Sequence, residues 1–127
     1  FPDSFIHFAA THRGATLYID RAQIEQVLIN LIKNAKASCG QNTAPQIEVE
    51  LEQVPGKVCS LTVRDNGEGI LPEVIDKVFV PFFTTKPSGS GIGLSLCKQI
   101  MNLHGGTITV SSEIGKGSCF TLMFPGR

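Results

Sequence analysis

The chain has 127 residues, and its 11 Lys and Arg balance 11 Asp and Glu, so the formal charge is zero. That balance offers no basic field to nucleic acid, the apolar runs are too short to span a bilayer, and no signal peptide opens the chain. The length suits one domain over residues 1–127, able to bury roughly two-thirds of its unfolded surface. Cys39, Cys59, Cys97 and Cys119 lie far apart without metal-binding spacing. They read as buried, reduced thiols of a cytosolic domain. The chain opens inside an apolar run (Phe5, Ile6, Phe8), as a fragment of a longer protein would.

Phe5 to Ala9 and Ala15 to Ile19 are strand candidates around a polar turn. Asp20 caps a helix, with Gln23 placed as in a capping box, and the helix runs to about Cys39 and stops at Gly40. Ile24, Val27, Leu28, Leu31 and Ala35 form its core stripe, while Gln26, Asn30 and Asn34 recur every fourth residue on another face. Ile47, Val49 and Leu51 alternate with Glu48, Glu50 and Glu52 in a half-buried strand. Val58 to Arg64 is a second strand, with Asp65 at its end. Pro72 opens a short helix through Val78, and Pro81 to Ser90 is a loop. A helix follows from about Ile92 to His104, with Ile92, Leu96, Ile100 and Leu103 as its expected stripe. Gly105-Gly106 ends it, and strands Thr107 to Ser111 and Ser118 to Phe124 close the chain.

Three segments carry chemistry. Asn30 and Asn34 stack one turn apart, and taken alone they read as surface residues. A neutral amide oxygen can nevertheless ligate Mg²⁺ beside a polyphosphate without adding charge. Asp65-Asn66-Gly67 alone would be a hairpin turn, but Gly69-Ile70-Leu71-Pro72 leads into a helix instead. A carboxylate at such a strand end can accept from an exocyclic amine like that of adenine, and glycines let backbone lie close to a flat ring. Gly89-Ser90-Gly91-Ile92-Gly93-Leu94 runs into a helix whose amides favour anions, with Lys86 just upstream. It matches neither the dinucleotide fingerprint nor a Walker loop. His7, His12 and His104 have no ligand spacing and read as structural or solvent-facing.

In this order the segments strongly resemble the catalytic, ATP-binding domain of bacterial sensor histidine kinases, in the superfamily of gyrase, mismatch-repair and heat-shock chaperone ATPases. The resemblance rests on an asparagine box ending at Asn34, a first glycine box at Asp65 to Gly69, aromatics at Phe79 to Phe83, and a second glycine box at Gly89 to Leu94. Gly115-Lys116-Gly117-Ser118-Cys119-Phe120 is similar to the last glycine element. The resemblance implies an α+β two-layer sandwich of the Bergerat type, a mixed and mostly antiparallel sheet covered on one face by about three helices.

It also implies ATP and Mg²⁺ as cofactors. Asn34 would hold the metal, with Asn30 supporting it or touching phosphate, and Lys33 or Lys36 contacting phosphate. Asp65 would bind the adenine amine, with Gly67, Gly69 and Ile70 shaping the base pocket. Thr85, Lys86 and the amides of Gly89, Ser90, Gly91, Ile92, Gly93 and Leu94 would form a lid, and Thr121 is assigned to the same site. Asn30, Asn34 and Lys86 would be the catalytic set.

The implied partners are a dimerisation and phosphoacceptor domain of the same parent, docked through Phe82 and Phe83, and indirectly a response regulator. Nucleic acid and direct membrane contact are not expected, and the domain would be cytoplasmic whether or not its parent is membrane-anchored. ATPase members carry a glutamate four residues before the metal asparagine, where this chain has Asn30. An amide is too weak a base to activate water, which favours phosphotransfer over hydrolysis. Many members have a lysine at the position of Ala37, and none of the three histidines has a phosphoacceptor context. An anti-sigma-factor-type serine/threonine kinase and a nucleotide-binding module without transfer are the alternative readings.

Overall fold

A computed structural model describes residues 6–10, 20–40, 44–53, 59–83 and 93–125. The elements run β1 (Ile6–Ala10), α1 (Arg21–Ser38), β2 (Ile47–Gln53), β3 (Cys59–Asp65), α2 (Pro72–Ile75), α3 (Gly93–Leu103), β4 (Thr107–Glu113) and β5 (Gly117–Phe124). The sheet order is β1-β2-β3-β5-β4. Edge strand β1 runs parallel to β2, and the other pairings are antiparallel. The architecture is therefore the expected α+β sandwich. The expected strand Ala15–Ile19 lies outside the described residues.

Register sorts the side chains. Alternation puts Val49, Val63, Phe120 and Val110 in one row, with Leu51, Leu61, Leu122 and Ile108 in the next. These meet Ile24, Val27, Leu31, Ile32 and Ala35 of α1 in a single core. The opposite face is polar: Glu48 and Arg64 approach at 3.9 Å while both stay more than half exposed, so the pair contributes little.

Asp20 caps α1 as expected, its Oδ1 accepting from Gln23 N at 3.0 Å. The reciprocal half of a capping box is supplied from elsewhere. The Asp20 amide donates to His104 Nε2 at 3.0 Å, and His104 Nδ1 donates to the Ile100 carbonyl at 2.8 Å. His104 is thus structural, with a tautomer set by its two partners. Gly105, at φ 70°, and Gly106, donating to Met101 O at 2.9 Å, close α3 in a Schellman turn.

Two expected elements change. The α3 stripe is Cys97, Ile100 and Met101 rather than one that includes Leu103, which is 76% exposed. Packing against α1 and β4 sets that phase, and the smaller Cys97 meets Val27, its thiol 3.8 Å from the Val27 carbonyl. Helix α2 ends at Ile75, and three-residue turns continue to Phe83. These turn Phe79 inward, edge-on to Phe120 at 6.3 Å and under Lys98 Nζ at 5.7 Å.

All four cysteines are free; Cys39, Cys59 and Cys97 are buried, whereas Cys119, expected inside, is only partly so because its strand position faces the polar side. Burial raises the thiols of Cys39 and Cys59 and pushes Cys97 up to about 11. Between pH 9 and about 11 the unfolded chain releases the Cys97 proton that the fold retains. Stability therefore holds below about pH 9 and then falls with rising pH, by up to about 1.4 kcal/mol per pH unit for Cys97, with Cys39 and Cys59 acting in the same direction. Alkylation of the native protein at pH 8 should label Cys119 first, with the other three reacting on unfolding; mass mapping of early adducts checks this.

Candidate nucleotide site

The sheet's inner face changes character at one end. Beyond the apolar rows, the register brings together Ile47, Asp65, Ser118 and Ser112. Asp65 is 5% exposed and Ser118 is 6% exposed, and Ser112 Oγ lies 3.0 Å from Ser118 Oγ. A buried carboxylate at the rim of a hydrophobic slab is costly without polar partners. Asp65 Oδ1 accepts from the Gly67 amide at 2.9 Å, which also folds the chain into the first glycine box.

That box is held from both sides. A Cβ on Gly67 would collide with Ser38 of α1, and Glu68 N donates to Ser38 O at 3.2 Å. Gly69 sits at φ 81°, where a Cβ would come within 2.5 Å of the Glu113 carbonyl. Ile70 N donates to Ser112 Oγ at 2.7 Å, and Gly115 N donates to Glu68 O at 3.0 Å. Glycine is required where two backbones approach this closely.

Helix α1 supplies the other wall. Gln26 Nε2 donates to Asn30 Oδ1 at 3.2 Å, and Asn30 Nδ2 donates to the Gly93 carbonyl at 3.4 Å. Both ends of the Asn30 amide are thereby engaged, and the start of α3 is fastened beside the amide face of α1. Asn30, Asn34 and Ser38 follow one flank of the core stripe, the flank that meets Gly67 and Gly93. Asn34 lies half-buried on that flank, and its side chain carries a neutral amide oxygen. Among the described residues no cluster of three or more His, Cys, Asp or Glu could enclose a cation alone. The donor set fits Mg²⁺ held chiefly by phosphates and water, with one protein amide.

The expected site residues are not all brought together. Asp65, Gly67, Gly69 and Ile70 meet α1 and the β4–β5 turn, and Asn30 meets Gly93, the residue before Leu94. Lys33 is exposed, about 60° around the helix from Asn30, whereas Lys36 lies about 160° from Asn34, across the core stripe. The structure thus separates Lys36 from the amide flank. Thr121 is also displaced: it pairs with Thr62 and Thr109 on the polar outer face, its Oγ1 3.9 Å from Cys119 Sγ. The β5 residue at the rim is Ser118, which an odd offset places on the opposite face from Thr121. Thr85, Lys86, Gly89, Ser90, Gly91 and Ile92 lie outside the described residues. Of the aromatics, Phe79 is a core edge, Phe82 is 75% exposed at φ 67°, and Phe83 is half-buried.

Comparison with known proteins gives this geometry its context. A family model described as histidine kinase-, DNA gyrase B-, and HSP90-like ATPase matches residues 19–127. The chain belongs to that family. Sensor histidine kinase ZraS of Escherichia coli (strain K12) is 38% identical over 120 residues, 94% of this chain and 25% of ZraS. The chain thus spans about a quarter of the length of this curated relative. The nucleotide-free catalytic domain of histidine kinase ThkA superposes with a TM-score of 0.83 at 34% identity, covering 95% of this chain and 79% of that domain. Full-length ShkA in complex with AMPPNP superposes at a TM-score of 0.82 and 25% identity, over 96% of this chain and 26% of ShkA. Within the family, the chain is a catalytic domain of the histidine kinase type.

Proposed function

We propose that this domain binds Mg-ATP across the rim formed by Asp65 and the amide flank of α1, and donates the γ-phosphate to a histidine on a separate helical domain of the same parent protein. The observation that carries the reading is the convergence of a buried strand-end carboxylate, two backbone-packed glycines and a pair of stacked amides. Asp65 accepts the adenine amine, and Gly67, Gly69 and Ile70 form the wall against the base. Asn34 supplies an oxygen to the metal, and Lys33 is the better placed of the two helix lysines for phosphate. When bound, Mg²⁺ neutralises charge on the phosphoryl oxygens.

The chain's own contribution is positioning. Asn30 has both amide ends occupied, by Gln26 and Gly93, and no general base stands in its place. This supports transfer over hydrolysis. Phe82 is a large apolar side chain held outward in a left-handed conformation that bulky residues rarely adopt, which suits docking on the helical partner. Among solved relatives, ThkA is seen in complex with the response regulator TrrA; a response regulator downstream of this domain follows by analogy. No helix among the described residues is long and apolar enough to cross a membrane.

The test combines the domain with a purified histidine-bearing helical domain and γ-labelled ATP. Acid-labile phosphohistidine should appear on the partner, and the domain alone should release negligible phosphate. Brisk hydrolysis without transfer would overturn the reading.

A further inference from the structure

Within that nucleotide reading, we infer that Asn66 is a positioning residue whose side chain holds Asp65 and the first glycine box in their working geometry. The β2–β3 ladder ends with Ile47 opposite Asp65, and the next opposed pair would be Gln46 and Asn66. One half of that rung is ordinary: Asn66 N donates to Gln46 O at 3.2 Å. The returning bond is not made to the Asn66 carbonyl. Gln46 N donates instead to Asn66 Oδ1, at 2.8 Å.

The side-chain amide therefore replaces its own backbone as the ladder acceptor. This lets the main chain leave the sheet at Asn66 and fold back through Gly67 without losing the rung beside Asp65. The other end of the amide donates to Ala44 O at 2.9 Å, so one side chain pins two points of the segment before β2. Cys39 Sγ, at the end of α1, approaches the same Oδ1 at 3.6 Å. Asn66 thus ties the adenine carboxylate to the C-terminal end of the helix that bears Asn34. The Gly67 amide at Oδ1 then aims Asp65.

The experiment measures Mg-ATP affinity by calorimetry for wild type, Asn66→Ala, Asp65→Asn and the double variant, with amide exchange of nucleotide-free protein alongside. Loss of one hydrogen bond of this kind should weaken binding by about fivefold in Asn66→Ala. The double variant should bind within about twofold of Asp65→Asn alone, because Asn66 acts through Asp65. The Gly67 amide should exchange about tenfold faster in Asn66→Ala without nucleotide, reporting a loosened turn.

If Asp65→Asn weakens binding but Asn66→Ala does not, or if the two effects multiply, the positioning role is wrong while the nucleotide reading stands. If Asp65→Asn binds normally, the nucleotide reading fails, and unchanged Gly67 exchange would then also remove the structural tie. Should Asn66→Ala not fold, Asn66→Asp decides: it keeps an acceptor for Gln46 N but loses the donor to Ala44 O and sets oxygen against oxygen there. It should therefore bind about threefold to fivefold more weakly than wild type, and no more weakly than Asp65→Asn alone when the two are combined. Wild-type affinity in Asn66→Asp, or losses that multiply in that double variant, overturns the inference.

Discussion

Asp65→Asn should weaken Mg-ATP binding by about tenfold or more while leaving the melting temperature nearly unchanged. Hydrogen bonds to a charged acceptor in a water-poor site contribute about 1.5–3 kcal/mol, and each 1.4 kcal/mol is a factor of ten. The substitution is informative because Oδ1 is already used by the Gly67 amide. An asparagine keeps that bond by turning its oxygen to Gly67, which aims its NH₂ at the base. Donor then faces donor, and the adenine amine loses its acceptor with the turn intact. Isothermal titration with an ATP analogue and a parallel melt check both halves. Wild-type affinity would reject the assignment of Asp65 to the base.

Gly117→Ala should damage the fold and the site together. Gly117 sits at φ 132°, and a Cβ there would run into the backbone carbonyl of Asp65. Conformational strain and overpacking each cost about 1–3 kcal/mol, so a total near 3 kcal/mol and a drop of about 10 °C in melting temperature are expected. The clash cannot be relieved by rotating a side chain, so β3 and β5 must part at the rung that carries Asp65 and Ser118, and nucleotide binding should be lost. Gly115→Ala is the control. It has a similar left-handed conformation, at φ 81°, but a Cβ there meets nothing within 4 Å. It should lower stability by only about 1 kcal/mol and spare binding. Equal losses in the two variants would show that conformation, and not the contact with Asp65, governs this turn.

The parts of the site legible in the sequence are those fixed by local chain geometry. Asp20 reads as a cap and Asn30 and Asn34 as one helical face, because spacing along a helix defines faces. Asp65 reads as a strand end, because glycines and a proline follow it. The errors sit where a distant partner chooses the face. Thr121 and Ser118 are both polar β5 residues, and only pairing with β3 reveals which shares the inner row with Asp65. Leu103 is a stronger apolar signal than Cys97, yet contact with α1 buries the cysteine. Lys36 follows Asn34 closely in sequence but lies across the helix from it. The role of Asn66 was hidden inside a tripeptide that spells a turn: its partners, Ala44 and Gln46, are about twenty residues upstream.

Much of the backbone around the proposed site is main chain pressed against main chain, at Gly67 on Ser38, Gly69 on Glu113 and Gly117 on Asp65. Such a lining has few side chains to exchange. On the proposed reading, drift at neighbouring positions would retune how the domain meets its partners while leaving the choice of purine to Asp65.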